Sequence, residues 1–493
     1  MGASPSTSES RSDARIVWFA VALVAAALWI RPLFSSLWLD ELLTHWVVGG
    51  SLGQAMARSS QYQGQSVAYN AVAWLIARLS GRSEFFLRLP SLTAMVVAGF
   101  VFYRLVSRLI DEEAARFATL AFVASQGIAF TASDFRPYPF ALLAVVLSFY
   151  TSVRWLDDGG TRWGVGYAIS VAAVVWTQYL FVLVLPAQGV YWLARARAGS
   201  SKVKSREVAW AVSVALCLVA PAVVEVAELW SRRAQLTIPA SPDLETLLAF
   251  FVPPVVGGAL LVGVLATLPR SPVGFRPVPA RVGTVALLAG WLVIPPTVLF
   301  SLAAVTDLSL LSSRYYISAA PAGAALFGWG VRCLEPSGTR RLIALLLAIF
   351  SVVAFGGPTK LGQDWRGAIA YADSLSGRGT LVLLRSGPIE SEDPSWLVDP
   401  ARRGYLLAPA GFYPIVGRAR VVPYGVDPQV QPYLDSLLKQ VNETDHFLLI
   451  AESATWPLDA TPWFEARLAS DGWTLERSAS FGEIEVSEFV RAP

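Results

Sequence analysis

Asp40 and Glu41 sit side by side in Trp38-Leu39-Asp40-Glu41, directly after the first long apolar run of the chain. An ionisable side chain at a bilayer centre costs roughly 2.5–3.5 kcal/mol on insertion scales, so acids beside such a run belong at the interface, facing water, headgroups or a polar cleft. Carboxylates in that position point to chemistry. The competing reading makes them first-turn acids of a helix over Leu42 to Val48, suited to its N-terminus and nothing more.

A second polar constellation, Ser133-Asp134-Phe135-Arg136-Pro137-Tyr138-Pro139, lies between two apolar runs. Pro137 and Pro139 end one helix and start the next, which stiffens the turn and fixes where Arg136 points. A rigid, arginine-bearing turn suits phosphate recognition. The alternative is a local Asp134 to Arg136 ion pair, contributing less than about 1 kcal/mol if exposed. Arg88 in Leu87-Arg88-Leu89-Pro90-Ser91, Arg314 in Ser312-Ser313-Arg314-Tyr315-Tyr316 and the pair Arg232-Arg233 are further cations, each equally able to anchor a helix end by snorkelling. Tyr138 and Tyr315 give Arg136 and Arg314 an aromatic wall and extra donors. His45, five residues after Asp40, reads as a packing or headgroup-facing residue; with His446 the one other histidine, no zinc site is expected.

The elements that must position these groups are membrane spans. With 54% hydrophobic and 15% charged residues over 493, the chain is a polytopic membrane protein, and its net charge of +3 gives no argument for a nucleic-acid partner. Cys217 and Cys333 support neither a disulfide framework nor a metal site. A polar tail, 1–15, precedes an uncleaved anchor over Ile16 to Leu33, and further spans fall near 88–107, 114–132, 139–156, 163–178, 179–194, 207–227, 246–267, 282–302, 314–331 and 341–356. That makes about eleven. The arginines and lysines at 104–116, 154–162, 195–206, 270–281 and 332–341 recur on one side and mark it as cytoplasmic. The first loop, 35–87, the Asp134 turn and the C-terminal part then share the extracytoplasmic side, with Ser66 to Leu79 as an interfacial helix inside that loop. Composition shifts after Gly356. The transmembrane domain is therefore expected to cover 16–356, followed by a soluble α/β domain at 357–493, with helices over Asp364 to Leu375 and Pro432 to Gln440 and strands over Thr380 to Leu384, His446 to Ala451 and within Trp473 to Val490. It has no glycine-rich nucleotide-binding turn.

Taken in order, Ser36-Leu37-Trp38-Leu39-Asp40-Glu41, Arg88-Leu89-Pro90-Ser91, Asp134-Phe135-Arg136-Pro137-Tyr138, Ser313-Arg314-Tyr315 and Asp364-Trp365-Arg366-Gly367 resemble the bacterial protein-mannosyltransferase-like and aminoarabinose-transferase-like branch of the GT-C glycosyltransferases. The resemblance runs along essentially the whole chain. It implies a GT-C fold, a polyprenyl-phosphate-linked sugar as donor, inversion at the anomeric carbon, and chemistry at the outer face of the bacterial cytoplasmic membrane. By the same resemblance Asp40 would be the general base, and Glu41 would orient the acceptor or help hold a divalent cation (Mg or Mn), the one cofactor in view. Asp134 would be the second acid, and Arg136, Arg314 and Arg88 would bind the phosphate. Family members often carry a His-Pro-Pro segment in the first loop, where this chain has Gln61-Tyr62-Gln63-Gly64-Gln65-Ser66; Gln61, Gln63 and His45 are the candidates there for sugar or acceptor contacts, with ordinary solvation as the alternative for the glutamines. Two other classes stand beside the transferase. A transporter should place ionisable residues at mid-span, where this chain has few apart from Glu225 and Glu228, and a non-catalytic binder of lipid-linked sugar would keep the arginines without depending on Asp40.

Overall fold

The computed structural model describes residues 7–62, 65–231, 244–269, 271–306, 312–357, 360–386, 388–452 and 460–491. Arg232, Arg233 and Gln63 lie outside the described residues. The chain forms two compact units, one of Met1–Leu33, Gln65–Tyr69 and Arg88–Gly356, the other of Phe34–Gly64, Asn70–Leu87 and Gly357–Pro493.

The first unit is a helical bundle. Among the described residues six helices are long and apolar enough to cross a bilayer: those within Ala14–Phe34, Glu84–Leu109, Tyr138–Asp158, Tyr179–Arg197 and Thr284–Val305, and the one that begins at Ser337. Ser205–Val219 and Ala222–Ser231 add a pair bent by 56°. The eleven spans expected from hydropathy all coincide with helix, but Glu112–Ala124, Thr161–Thr177, Pro254–Thr267 and Ala320–Arg332 are too short to count by length. Breaks explain the shortfall: Ser125 separates Glu112–Ala124 from Gln126–Ala132, and a turn over Ile317–Ala319 precedes Ala320.

Phe19, Phe100, Leu216, Leu261 and Val353 are exposed on this bundle, as a lipid-facing surface requires. Inside, Trp291 stacks on Phe149 at 3.6 Å between ring centroids. Small residues let helices close up: a Cβ at Gly328 would lie 2.4 Å from the Ala118 backbone nitrogen, so Ala320–Arg332 and Glu112–Ala124 meet backbone to backbone.

The second unit combines first-loop helices Leu39–Val47, Leu52–Gln61 and, in its larger part, Val67–Ser80 with an α/β fold. Five strands, β1 (Leu381–Arg385), β2 (Arg418–Val421), β3 (His446–Glu452), β4 (Trp473–Phe481) and β5 (Ile484–Arg491), stand in the order β2-β1-β3-β5-β4. The first three run parallel; β5 is antiparallel to β3 and to β4. Parallel centre strands are covered on both faces, which is why β1 reads as an uninterrupted Leu-Val-Leu-Leu run, buried throughout. Helices Trp365–Leu375 and Gln431–Asn442 match the expected ones within a few residues; the latter turns Leu434, Leu437 and Val441 into the core.

Candidate functional site

Asp40 and Glu41 lie in the first turn of Leu39–Val47, which starts three residues earlier than expected. Glu41 is fully buried and its Oε2 accepts from the Trp38 N–H at 3.2 Å, so its carboxylate closes the helix N-terminus. Asp40 beside it is half-buried. The turn is held from far along the chain. The Leu39 N–H donates to Gln363 Oε1 (2.8 Å), Gln363 Nε2 donates to Glu452, and the Arg366 N–H donates to Ser36 Oγ at 3.0 Å. Gln363 is itself fixed by the β4–β5 turn: the Glu483 N–H donates to Gly362 O at 2.8 Å, and a Cβ at Gly482 would lie 1.7 Å from that oxygen, so glycine is required. Glu84 ties the arrangement together, pairing with Arg366 and accepting from the Tyr413 hydroxyl, which also takes the Leu37 N–H at 2.9 Å. Two of the motifs picked out in the sequence, around Asp40 and Asp364, are thus one hydrogen-bonded structure.

Other carboxylates gather near Asp40. Burial pushes the Glu390 carboxyl up to about 7, and the Asp40 charge adds to the rise; burial also raises Glu452. At the far end of the same helix, burial and then the Arg82 charge lower His45 to about 4, so its imidazole is neutral near pH 7. Gln61 ends Leu52–Gln61 and is exposed. Among the described residues no three His, Cys, Asp or Glu side chains converge as metal ligands, and Glu41, the residue expected to help hold a divalent cation, has one carboxylate oxygen on the Trp38 N–H.

The remaining candidates, Arg88, Asp134, Arg136, Tyr138, Arg314 and Tyr315, belong to the first unit, at one end of its bundle. The Asp134 turn is buried, with Asp134 0% and Arg136 6% exposed. Its two ends are those the prolines set: Gln126–Ala132 before it and Tyr138–Asp158 after. Ser91 Oγ donates to Asp134 O at 2.6 Å, joining the turn to the helix that carries Arg88. Arg88 is fully buried and donates from Nη1 to Pro32 O at 2.8 Å. Ser133 Oγ is buried with no hydrogen-bond partner among the described residues. Tyr138 packs on Phe181 at 6.4 Å, and the short helix with Arg314 packs on the same Tyr179–Val184 segment. Arg314 is half-buried, 5.5 Å from the Tyr315 ring. Tyr179 donates to Glu225, which also accepts from the Val67 N–H at 3.2 Å. The structure therefore brings Arg88, Asp134, Arg136, Tyr138 and Arg314 into one layer.

Sequence reasoning passed over Gln363, Glu390, Glu452, Tyr179 and the tie made by Glu225. Glu225 alone carried a signal, as an acid near a span end.

Comparison with known proteins bears on these arrangements. Residues 65–224 match the model of the dolichyl-phosphate-mannose-protein mannosyltransferase family. No curated protein matches the sequence. Among solved structures, ArnT from Cupriavidus metallidurans superposes in its apo state with a TM-score of 0.56 at 13% identity, covering 96% of this chain and 97% of that one. The same protein bound to undecaprenyl phosphate gives 0.55 at 13% identity and the same coverage. The arabinofuranosyltransferase AftD from Mycobacteria gives 0.50 at 14% identity, over 98% of this chain and 40% of AftD. The fold is that of the GT-C glycosyltransferases.

Proposed function

We propose that this chain, a glycosyltransferase of the GT-C fold and its ArnT-like branch, moves a sugar from a polyprenyl-phosphate carrier to an acceptor at the outer face of the bacterial cytoplasmic membrane, inverting the anomeric centre. Asp40 acts as general base. The observation that carries this reading is the fixing of the Asp40 turn by Gln363 and Arg366, partners 324 and 330 residues away. A helix start that needed only capping has Glu41 for that purpose; holding Asp40 rigidly from a second segment suits a group that must meet a substrate atom. ArnT holds undecaprenyl phosphate in one of its structures, which supports a carrier of the same chemistry here.

In the proposed step the acceptor hydroxyl or amine attacks the anomeric carbon as its proton passes to the Asp40 carboxylate. The bond from that carbon to the phosphate oxygen breaks, and its electron pair leaves with the polyprenyl phosphate. In-line displacement inverts the centre. Arg136 and Arg314 stabilise the charge that develops on the departing phosphate, while Arg88 and Ser91 hold the layer in place. The buried, unpartnered Ser133 hydroxyl in the same turn supports a ligand-facing surface there.

The test is transfer by the full-length protein in lipid nanodiscs, offered a panel of radiolabelled polyprenyl-phosphate sugars with membrane extract as acceptor. Asp40→Asn is expected to stay folded, bind donor and lose turnover by about 10²-fold or more. Full activity in that variant would sink the mechanism; failure of the wild type to bind any donor would sink the class.

A further inference from the structure

We infer that the second unit carries a subsite for a single sugar ring, in the cleft lined by Leu42, His45, Trp46, Arg58, Gly411 and Phe412. The inference rests on the transferase reading and names the chemistry of one of its ligands. The cleft holds about 270 Å³, just below the roughly 300–1,000 Å³ of sites for drug-sized molecules, which leaves room for one small ring.

Its wall includes an aromatic cluster built around Trp46. The Arg58 guanidinium lies 4.3 Å from the Trp46 ring centroid and donates to Trp46 O and Gly49 O at 3.1 and 3.3 Å. Tyr62 and Tyr405 approach Trp46 at 4.9 and 5.5 Å, and Trp396 packs against both tyrosines. A Cβ at Gly404 would lie 3.0 Å from Trp46 Nε1, so the chain yields space for the indole there. Trp46 is nonetheless only half-buried and lines the cleft.

Opposite chemistry completes it. His45 packs edge-on against Phe412 at 4.8 Å, and as a neutral imidazole whose N–H is engaged with the Gly81 backbone it leaves its other ring nitrogen as an acceptor. Among the described residues no carboxylate lines the cleft, and the cation that does, Arg58, is engaged with backbone carbonyls and the indole. An apolar face bordered by neutral polar groups complements a sugar, whose C–H face is apolar and whose rim is hydroxyls. Asp40 and His45 share one helix with a rise of about 7.5 Å between them, so the subsite and the proposed base move as one body. The ring comes from the donor or from a glycan acceptor; the two present the same chemistry.

Gly411→Leu separates these cases. Nothing lies within 4 Å of a Cβ at Gly411, so a leucine there enters open space and leaves the aromatic cluster untouched. The full-length protein in nanodiscs is titrated with methyl α-mannopyranoside, methyl α-arabinofuranoside and mannotetraose by calorimetry. At least one is expected to bind wild type and Asp40→Asn alike, at least tenfold more weakly to Gly411→Leu and Trp46→Ala, and near normally to Trp46→Phe. Equal binding by wild type and Gly411→Leu, or no binding of any of the three sugars, would overturn the subsite. Kinetics then assign the source: a raised acceptor KM in Gly411→Leu with donor KM unchanged places a glycan acceptor there, and a raised donor KM places the carrier-linked sugar. Transfer with neither KM altered removes the subsite and leaves the transferase standing. Sensitive sugar binding without transfer by the wild type leaves the subsite and removes the transferase.

Discussion

The two ends of the helix Tyr138–Asp158, about 30 Å apart, set their charged residues against different partners. At its C-terminal end Asp157 is shared by Arg108 (2.7 Å), Arg195 (2.9 Å) and Arg281, while Asp158 takes Arg108 and Arg154. Cations there are matched to carboxylates. At the N-terminal end Arg88 donates to the Pro32 carbonyl at 2.8 Å and Arg314 lies 5.5 Å from the Tyr315 ring. The first end is a network of arginine–carboxylate pairs; the second also sets its guanidinium groups against backbone and aromatic partners.

This contrast can be broken most severely at Asp157. Asp157→Ala leaves Arg195, itself 7% exposed at the side chain, without its carboxylate partner, so a loss of about 3–5 kcal/mol is expected in thermal unfolding of the detergent-solubilised protein. Activity per folded molecule should be kept. Arg314→Ala should do the reverse: near-normal stability with donor affinity lowered about 10- to 100-fold, the equivalent of a charge-assisted hydrogen bond of roughly 1.5–3 kcal/mol. Nanodisc binding of labelled polyprenyl phosphate measures it, and unchanged affinity would remove Arg314 from the phosphate site.

In the second unit the contrast recurs between Glu84, matched by Arg366 and Tyr413, and Glu390, raised to about 7. A carboxyl with a folded pKa above its unfolded value binds more protons in the native state, so stability falls as pH rises from about 4.5 to 7. Glu390→Gln should flatten that part of the stability profile; an unchanged slope between those pH values would exclude Glu390 as its source. The smallest effect belongs to Ser91→Ala. Losing the bond to Asp134 O is expected to cost about 1 kcal/mol, visible as a slight fall in melting temperature with a small rise in donor KM.

Hydropathy and charge made the bundle legible, because lipid demands apolar runs and leaves arginines at one side. The alternating pattern after Gly356 likewise revealed β1, β3 and the two long helices. Short or partly polar elements escaped. Strand β2, Arg-Ala-Arg-Val, is too short for its alternation to register, and the helices Pro400–Leu406 and Ala408–Phe412 run only about one to two turns with a proline in the first turn. Among the candidate residues, Asp40, Arg136 and Arg314 were visible because charge beside a span is costly. Gln363, Glu390 and Glu452 were not, since a polar residue in a soluble segment is unremarkable until the fold sets it against a partner hundreds of residues away.

That separation imposes an order on biogenesis. The first loop leaves the ribosome long before Gln363 and Arg366, and at about 5–20 residues per second the 324-residue interval lasts roughly 15–65 s. During that time the Asp40 turn lacks the hydrogen bonds that tie it to Gln363 and Arg366. The turn reaches its final form only after those late residues have been made.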